Sequence, residues 1–228
     1  ATSAIENGEA TSVAAYNGGY FVSTIGENSN ATTSIVISGM AIKSPSSALA
    51  TIHPVDASTT IPYSRWDIDL HASLYGGFPV RFGPTLAGIE LFDTQAMMVS
   101  DAEAVLMDPQ QRLLLELTGE LLLHGSSRID SASLGAFVGL SSTDYAKVMA
   151  KHVPGVTAYT ATGNTLSVAS GRISYTFGLR GPSLTVDTAC SSSLVSLHTA
   201  FNAITLGQCT QAVNAGANLM LSVDTPAA

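Results

Sequence analysis

Positive charge is scarce in this chain. Nine Lys and Arg face 17 Asp and Glu across 228 residues, for a formal net charge of −8. A nucleic-acid partner needs clustered Lys and Arg, so the balance argues against one. Charge of either sign is thin, at 11% of residues, where a soluble domain carries about a quarter. That points to extensive buried surface, in a layered α/β core or a subunit interface. Cysteine is almost missing: Cys190 and Cys209 make no disulfide framework, so a reducing compartment is expected, the cytoplasm or a plastid. No window approaches the ~18 uninterrupted apolar residues of a membrane span. The N-terminus has neither the basic start nor the apolar stretch of a signal peptide. None of the five histidines (positions 53, 71, 124, 152 and 198) pairs at metal-site spacing, so no metal is expected. A Gly-rich phosphate loop, a G-x-S-x-G elbow and a dinucleotide fingerprint are all missing. The basic residues are scattered and define no docking patch.

What is there suits a layered α/β domain. At 228 residues the chain can bury a large core, and 46% of it is apolar. Residues 1–33 are rich in Ala, Ser, Thr, Asn and Gly without a sustained period, and read as a polar linker or disordered terminus. The run SIVISG from Ser34 to Gly39 predicts the first core strand. Residues 43–64 hold three prolines and give no convincing helix. Trp66, the one tryptophan, reads as a packing anchor. The clearest helix start is Asp108-Pro109-Gln110-Gln111: an N-cap, a first-turn proline and a third-position glutamine able to close a capping box. That helix continues through RLLLELTGELLLH, with leucines on nearly every face, so it should be buried. Leu134–Leu140 predicts a strand, Asn164–Phe177 a helix closed by Gly178, and residues 212–221 another strand. Strands and helices alternate, as an α/β fold requires. The chain stops after that last strand with no closing helix, as though cut.

The stretch SLTVDTACSSSLVSLHTAFNAITLG, residues 183–207, concentrates the chemistry. Residues 183–187 suit a short strand, small residues follow, and Leu194, Leu197, Phe201 and Ile204 recur at helical spacing as far as Gly207. A strand feeding a helix through a tight turn places Cys190 at the helix N-terminus. Free N–H groups and the helix dipole stabilise an anion there, and the thiolate is the nucleophilic form of cysteine. Cys190 is therefore either a nucleophile or a small core residue at a packed turn. Asp187 suits a structural role, accepting backbone N–H bonds within the turn. Ser191, Ser192 and Ser193 suit close approach and first-turn capping. His198 lies about 12 Å along the helix from the thiol, too far for a direct base, and fits a satisfied core histidine better. Cys209 fits a buried, inert thiol.

The stretch from Thr162 to His198, TGNTLSVASGRISYTFGLRGPSLTVDTACSSSLVSLH, closely resembles the active-site region of β-ketoacyl synthases, specifically the ketosynthase domains of type I polyketide synthases. MDPQQRLLLE, from Met107 to Glu116, is a second hallmark of that family. RWDID at Trp66, FGP…FD from Phe82 to Asp93, and GQCTQAVNAGANLM from Gly207 to Met220 are weaker matches. Together they cover about residues 34–228 in the family's order. The start GMAIKSPSS departs from the pattern, lacking the aromatic residue and arginine usual after GMA.

The resemblance implies a thiolase-like layered fold of two similar α/β halves, of which residues 34–228 would be the N-terminal half, truncated before the second. It implies Cys190 as catalytic nucleophile, taking an acyl chain from the phosphopantetheine arm of an acyl carrier protein. Malonyl on a second carrier would decarboxylate and attack the acyl-cysteine in a Claisen condensation. No cofactor is bound directly on this account, since the phosphopantetheine belongs to the carrier. A homodimer is expected in the full domain, with no nucleic-acid or membrane partner. The family's two catalytic histidines lie beyond this chain, and no histidine here matches their motifs, so the chain by itself is expected to be inactive. A fatty-acid-type condensing enzyme, a non-catalytic ketosynthase-like subunit for dimerisation or chain-length control, and a thiolase remain the alternatives.

Overall fold

The computed structural model describes residues 20–27, 35–45, 56–70, 81–124, 130–152, 155 and 157–222. Their framework is a five-stranded sheet built from β1 (Tyr20–Glu27), β2 (Ile35–Lys43), β5 (Leu134–Gly139), β6 (Ser183–Val186) and β7 (Gln211–Ala217), in the order β2-β1-β7-β5-β6. A two-stranded ribbon pairs β3 (Ser58–Thr60) with β4 (Phe82–Pro84). β5 runs parallel to both β6 and β7, while β1 is antiparallel to β2 and β7. The carboxyl ends of β5, β6 and β7 therefore leave the sheet along one edge, where ligand sites of open α/β sheets form.

Among the described residues, helices run over α1 (Asp101–Leu106), α2 (Pro109–His124), α3 (Asp144–His152), α4 (Ala158–Asn164), α5 (Val168–Phe177) and α6 (Ser192–Thr205). One sheet face packs under α2 and α5. Val22, Ala136, Val138, Val213 and Ala215 meet Leu113, Leu114, Leu117 and Ile173 there. The other face takes α6, whose Ala200, Ala203 and Ile204 meet Ile25, Phe137 and Ala212. Covered on both faces, β5 (LGAFVG) is buried at every position, which is why it reads as an unbroken apolar run with no alternation.

Several sequence expectations need correction. Residues 20–27 are not linker: β1 inserts between β2 and β7, inside the sheet. Its sequence YFVSTIGE gave no clean period because both faces are covered, so Ser23 and Thr24 are buried beside Val22 and Ile25. The strand expected first is the second and lies at the sheet edge, with Val36 and Ile37 exposed. The helix expected from Asn164 is two helices, because Asn164 ends α4 and α5 starts at Val168. Gly178 closes α5 as expected, at φ 66° in the left-handed region. Trp66 is buried and packs with Ile61, Ile68 and Met220, as an anchor should.

Candidate active site

β6 delivers the chain to the carboxyl edge of the sheet. There Ala189–Ser191 form one tight turn that runs straight into α6. Ala189 holds φ at 55°, a left-handed conformation that costs a non-glycine residue on the order of 1 kcal/mol. The surrounding polar groups enforce it. Asp187 Oδ1 accepts the Ala189 N–H at 3.1 Å. Ser192 Oγ accepts the Thr188 N–H at 2.9 Å and donates to the Ala189 carbonyl at 2.7 Å. Ser191 Oγ donates to the Thr188 carbonyl at 2.8 Å. Asp187 thus plays the structural role expected of it, and the serines brace the turn.

The strained turn presents Cys190 to solvent at the head of a 14-residue helix. Ala189 N bonds Asp187 Oδ1, Ser191 N bonds the Thr188 carbonyl and Ser192 N bonds the Ala189 carbonyl. The Cys190 N–H is the one backbone donor of this turn without a partner among the described residues. A helix N-terminus and a spare N–H beside an exposed thiol suit nucleophilic attack on a carbonyl whose oxygen gains negative charge.

The turn is seated on glycine. A Cβ on Gly139, the last residue of β5, would lie 2.5 Å from Ser192 C and Ser193 N. The first turn of α6 therefore rests directly on the β5 backbone, and small residues line the contact farther along: Ser196, Ala200 and Ala203 on the helix, Ala212 and Asn214 on β7. The buried face of α6 differs from the apolar stripe expected. Leu194 is 70% exposed and Phe201 46%, while Ser192 and Ser196 are buried. Leucine and phenylalanine are too bulky for the close helix-to-sheet approach that Gly139 permits.

His198 is exposed, not core, and its Nε2 pairs with Asn202 Nδ2 at 3.1 Å. Eight residues beyond Cys190 along α6, it supplies no base to the thiol. Cys209 is buried, and burial pushes its thiol pKa up, as an inert thiol requires. His53 and His71 lie outside the described residues. Among the described residues no cluster of His, Cys, Asp or Glu could hold a metal. Likewise, no helix among them is long and apolar enough to cross a membrane.

The MDPQQR stretch does more than start a helix. Asp108 caps α2, its Oδ1 accepting the Gln110 N–H at 2.8 Å. Burial raises its pKa to about 6, against the opposing pull of the Gln110 hydrogen bonds and the Arg112 charge. Gln110 Nε2 also donates to the Ser142 carbonyl at 3.0 Å, and its Oε1 accepts the Leu219 N–H at 3.2 Å, tying the exits of β5 and β7 together. Asp144 accepts the N–H groups of Leu221 and Ser222, each at 3.2 Å. The expected capping box does not form. Gln111 turns instead to the Thr162 and Thr165 carbonyls and to Arg172 Nε, which approaches it at 3.0 Å. The sequence signal was a polar D-x-Q-Q set opening an otherwise leucine-rich buried helix. The fold also gathers basic residues that are scattered in sequence: Arg65, Lys147, Lys151 and His152 line a cleft of about 430 Å³ with Trp66 and Ser222.

Comparison with known proteins places the chain in a family. Residues 32–228 match the model of the beta-ketoacyl synthase, N-terminal domain. The chain belongs to the β-ketoacyl synthase family. It is 45% identical over 175 residues to the spectinabilin polyketide synthase system protein NorC of Streptomyces orinoci, covering 72% of this chain and 8% of that protein. It is 40% identical over 176 residues to the polyketide synthase component of compactin nonaketide synthase from Penicillium citrinum, covering 74% of this chain and 6% of that one. Among solved structures it resembles the ketosynthase from module 6 of the bacillaene synthase of Bacillus subtilis 168. That TM-score is 0.67 at 25% identity, over 92% of this chain and 33% of the other. An oxazolomycin ketosynthase domain of Streptomyces albus JA3453 gives 0.68 at 25% identity, over 92% and 36%. This ketosynthase-family chain thus spans a small part of its polyketide synthase relatives and about a third of the solved ketosynthase chains. Its fold is that of the ketosynthases, thiolase-like and mixed α/β.

Proposed function

We propose that the chain supplies the acyl-accepting part of a polyketide-synthase ketosynthase, with Cys190 as nucleophile. The observation that carries this is the strained turn: an exposed thiol at a helix N-terminus, on the carboxyl edge of the sheet, beside an unused N–H. The Cys190 thiolate attacks the carbonyl of an acyl thioester on the phosphopantetheine arm of an acyl carrier protein. A new C–S bond forms at Sγ, and the carrier thiolate leaves and takes up a proton. The Cys190 N–H faces the charge that develops on the carbonyl oxygen. A malonyl thioester on a second carrier then loses carbon dioxide. Its α-carbon takes the freed electron pair, bonds to the acyl carbonyl and expels the Cys190 thiolate, leaving a β-ketoacyl chain on the carrier.

The general base and the rest of the pocket belong, on this account, to the second α/β half. The exposed apolar residues of α6 and β6 support such a complement: Leu194, Phe201 and Leu206 on and after the helix, Leu184 on the edge strand. They would be covered by the second half and by the partner subunit of a homodimer. Two unpaired cysteines fit a reducing compartment, the cytoplasm or a plastid. A fatty-acid-type condensing enzyme shares this chemistry, and the polyketide-synthase relatives favour the polyketide type. The test supplies the ketosynthase domain containing this chain with acyl- and malonyl-carrier thioesters. A β-ketoacyl carrier should appear with the native domain and not with Cys190→Ala. Equal product from both would overturn the proposal.

A further inference from the structure

Ser196 and Asn214 form a buried polar pair in an interface made mostly of alanine, glycine and apolar side chains, and both residues are fully buried. Ser196 Oγ lies 2.6 Å from Asn214 Oδ1 and 3.0 Å from the Ser193 carbonyl. The hydroxyl has a single proton, so it cannot donate to both. Meanwhile Asn214 Nδ2 is buried without a partner. Turning the Asn214 amide by 180° resolves both conflicts. Nδ2 then donates to Ser196 Oγ, and the Ser196 proton goes to the Ser193 carbonyl. The cost moves to a carbonyl lone pair, which tolerates burial better than a stranded donor.

The relay runs from β7 through Ser196 to the first turn of α6, three residues beyond Cys190. Among the described residues it is the one side-chain hydrogen bond joining α6 to the sheet. The other serine on the buried face, Ser192, bonds only within its own turn. Contacts among Ala200, Ala203, Ala212 and Phe137 hold the helix against the sheet but are not directional. Gly139 leaves its first turn bare backbone to rest on. The Ser196–Asn214 bond is the directional side-chain contact between the helix and the sheet.

We propose that Asn214 and Ser196 are positioning residues whose relay sets the register of α6 on the sheet and thereby the reach of the Cys190 thiol. This rests on Cys190 being the acyl acceptor, and the test separates the two ideas.

In the ketosynthase domain containing this chain, Ser196→Ala, Asn214→Ala and the double variant are compared by thermal melting and by two Cys190 reactions. One is alkylation by iodoacetamide at fixed pH, the other acyl loading from a carrier thioester followed by intact mass. Both single variants and the double should lose the same factor, about ten-fold or more, in both reactions, because any one change breaks the relay. For acyl loading the loss should fall on the saturating rate, with KM for the carrier held within about two-fold. Stability should follow a different order. Ser196→Ala strands the whole amide and melts lowest, while the double variant, with no stranded polar side chain left at this contact, melts near the native domain. A stable double variant that reacts at the native rate would overturn the proposal, and so would reaction rates that simply track melting temperature. A native domain that alkylates at Cys190 yet never loads an acyl group would refute Cys190 as acceptor, and the alkylation series would still decide the relay.

Discussion

Gly139→Ala places one methyl group between β5 and the first turn of α6, directly behind the turn that carries Cys190. The new Cβ would meet Ser192 C and Ser193 N at 2.5 Å and Ser192 O at 2.7 Å. These are backbone atoms, so no side chain can swing aside. Ordinary contact begins at 3.4 Å, so the helix start must retreat from the sheet by about 0.9 Å. Overpacking of this kind costs about 1–3 kcal/mol. A nucleophile displaced by about 1 Å can lose on the order of 100-fold in rate. A 100-fold loss corresponds to about 2.7 kcal/mol of barrier, so the effect on acyl loading should match the upper end of the effect on folding. Thermal melting and the rate of acyl loading, read by intact mass, measure the two separately. Gly171→Ala on α5 is the control, because nothing lies within 4 Å of its Cβ. Replacing a helical glycine there should leave loading unchanged and stabilise the domain by up to about 1 kcal/mol. If Gly139→Ala loaded at the native rate with an unchanged melting temperature, the seating of the Cys190 turn on β5 would be wrong.

Two further outcomes follow from burial. Asp108 has a folded pKa of about 6 against an ordinary 3.8. The folded state therefore holds its proton more tightly than the unfolded one. Its contribution to stability is fully present below pH 3.8 and is lost as pH rises through 6, by about 3 kcal/mol at most. Asp108→Asn keeps the cap without the buried charge, so it should flatten the fall in stability between pH 4 and 7, measured by urea unfolding. An unchanged pH profile would rule out the buried charge. The chain expressed alone exposes Leu194, Phe201, Leu206 and Leu184 together with the β6 edge. It should self-associate and bind a hydrophobic dye, and a monodisperse, cooperatively melting monomer would contradict the missing-complement account.

The strand, turn and helix around Cys190 could be foreseen because apolar period and small residues are local signals. The same holds for Asp108 as a cap and Gly178 as a stop. β1 was invisible, since a strand covered on both faces loses its alternation and its polar Ser23 and Thr24 look like linker. The face of α6 was misassigned for a related reason. Period picks out large apolar residues, but a helix lying on Gly139 must turn its serines and alanines inward. The long-range bonds of Gln110 and Gln111, and the Ser196–Asn214 pair, escaped notice because their partners lie 18 to 109 residues away.

The central claim is that Cys190 accepts the acyl chain. Incubating the ketosynthase domain that contains this chain with an acyl-carrier thioester, then mapping the added mass by proteolysis, tests it most directly. The acyl mass should appear on the peptide bearing Cys190 and vanish in Cys190→Ala. An acyl group on any other residue, or undiminished loading of the variant, would contradict it.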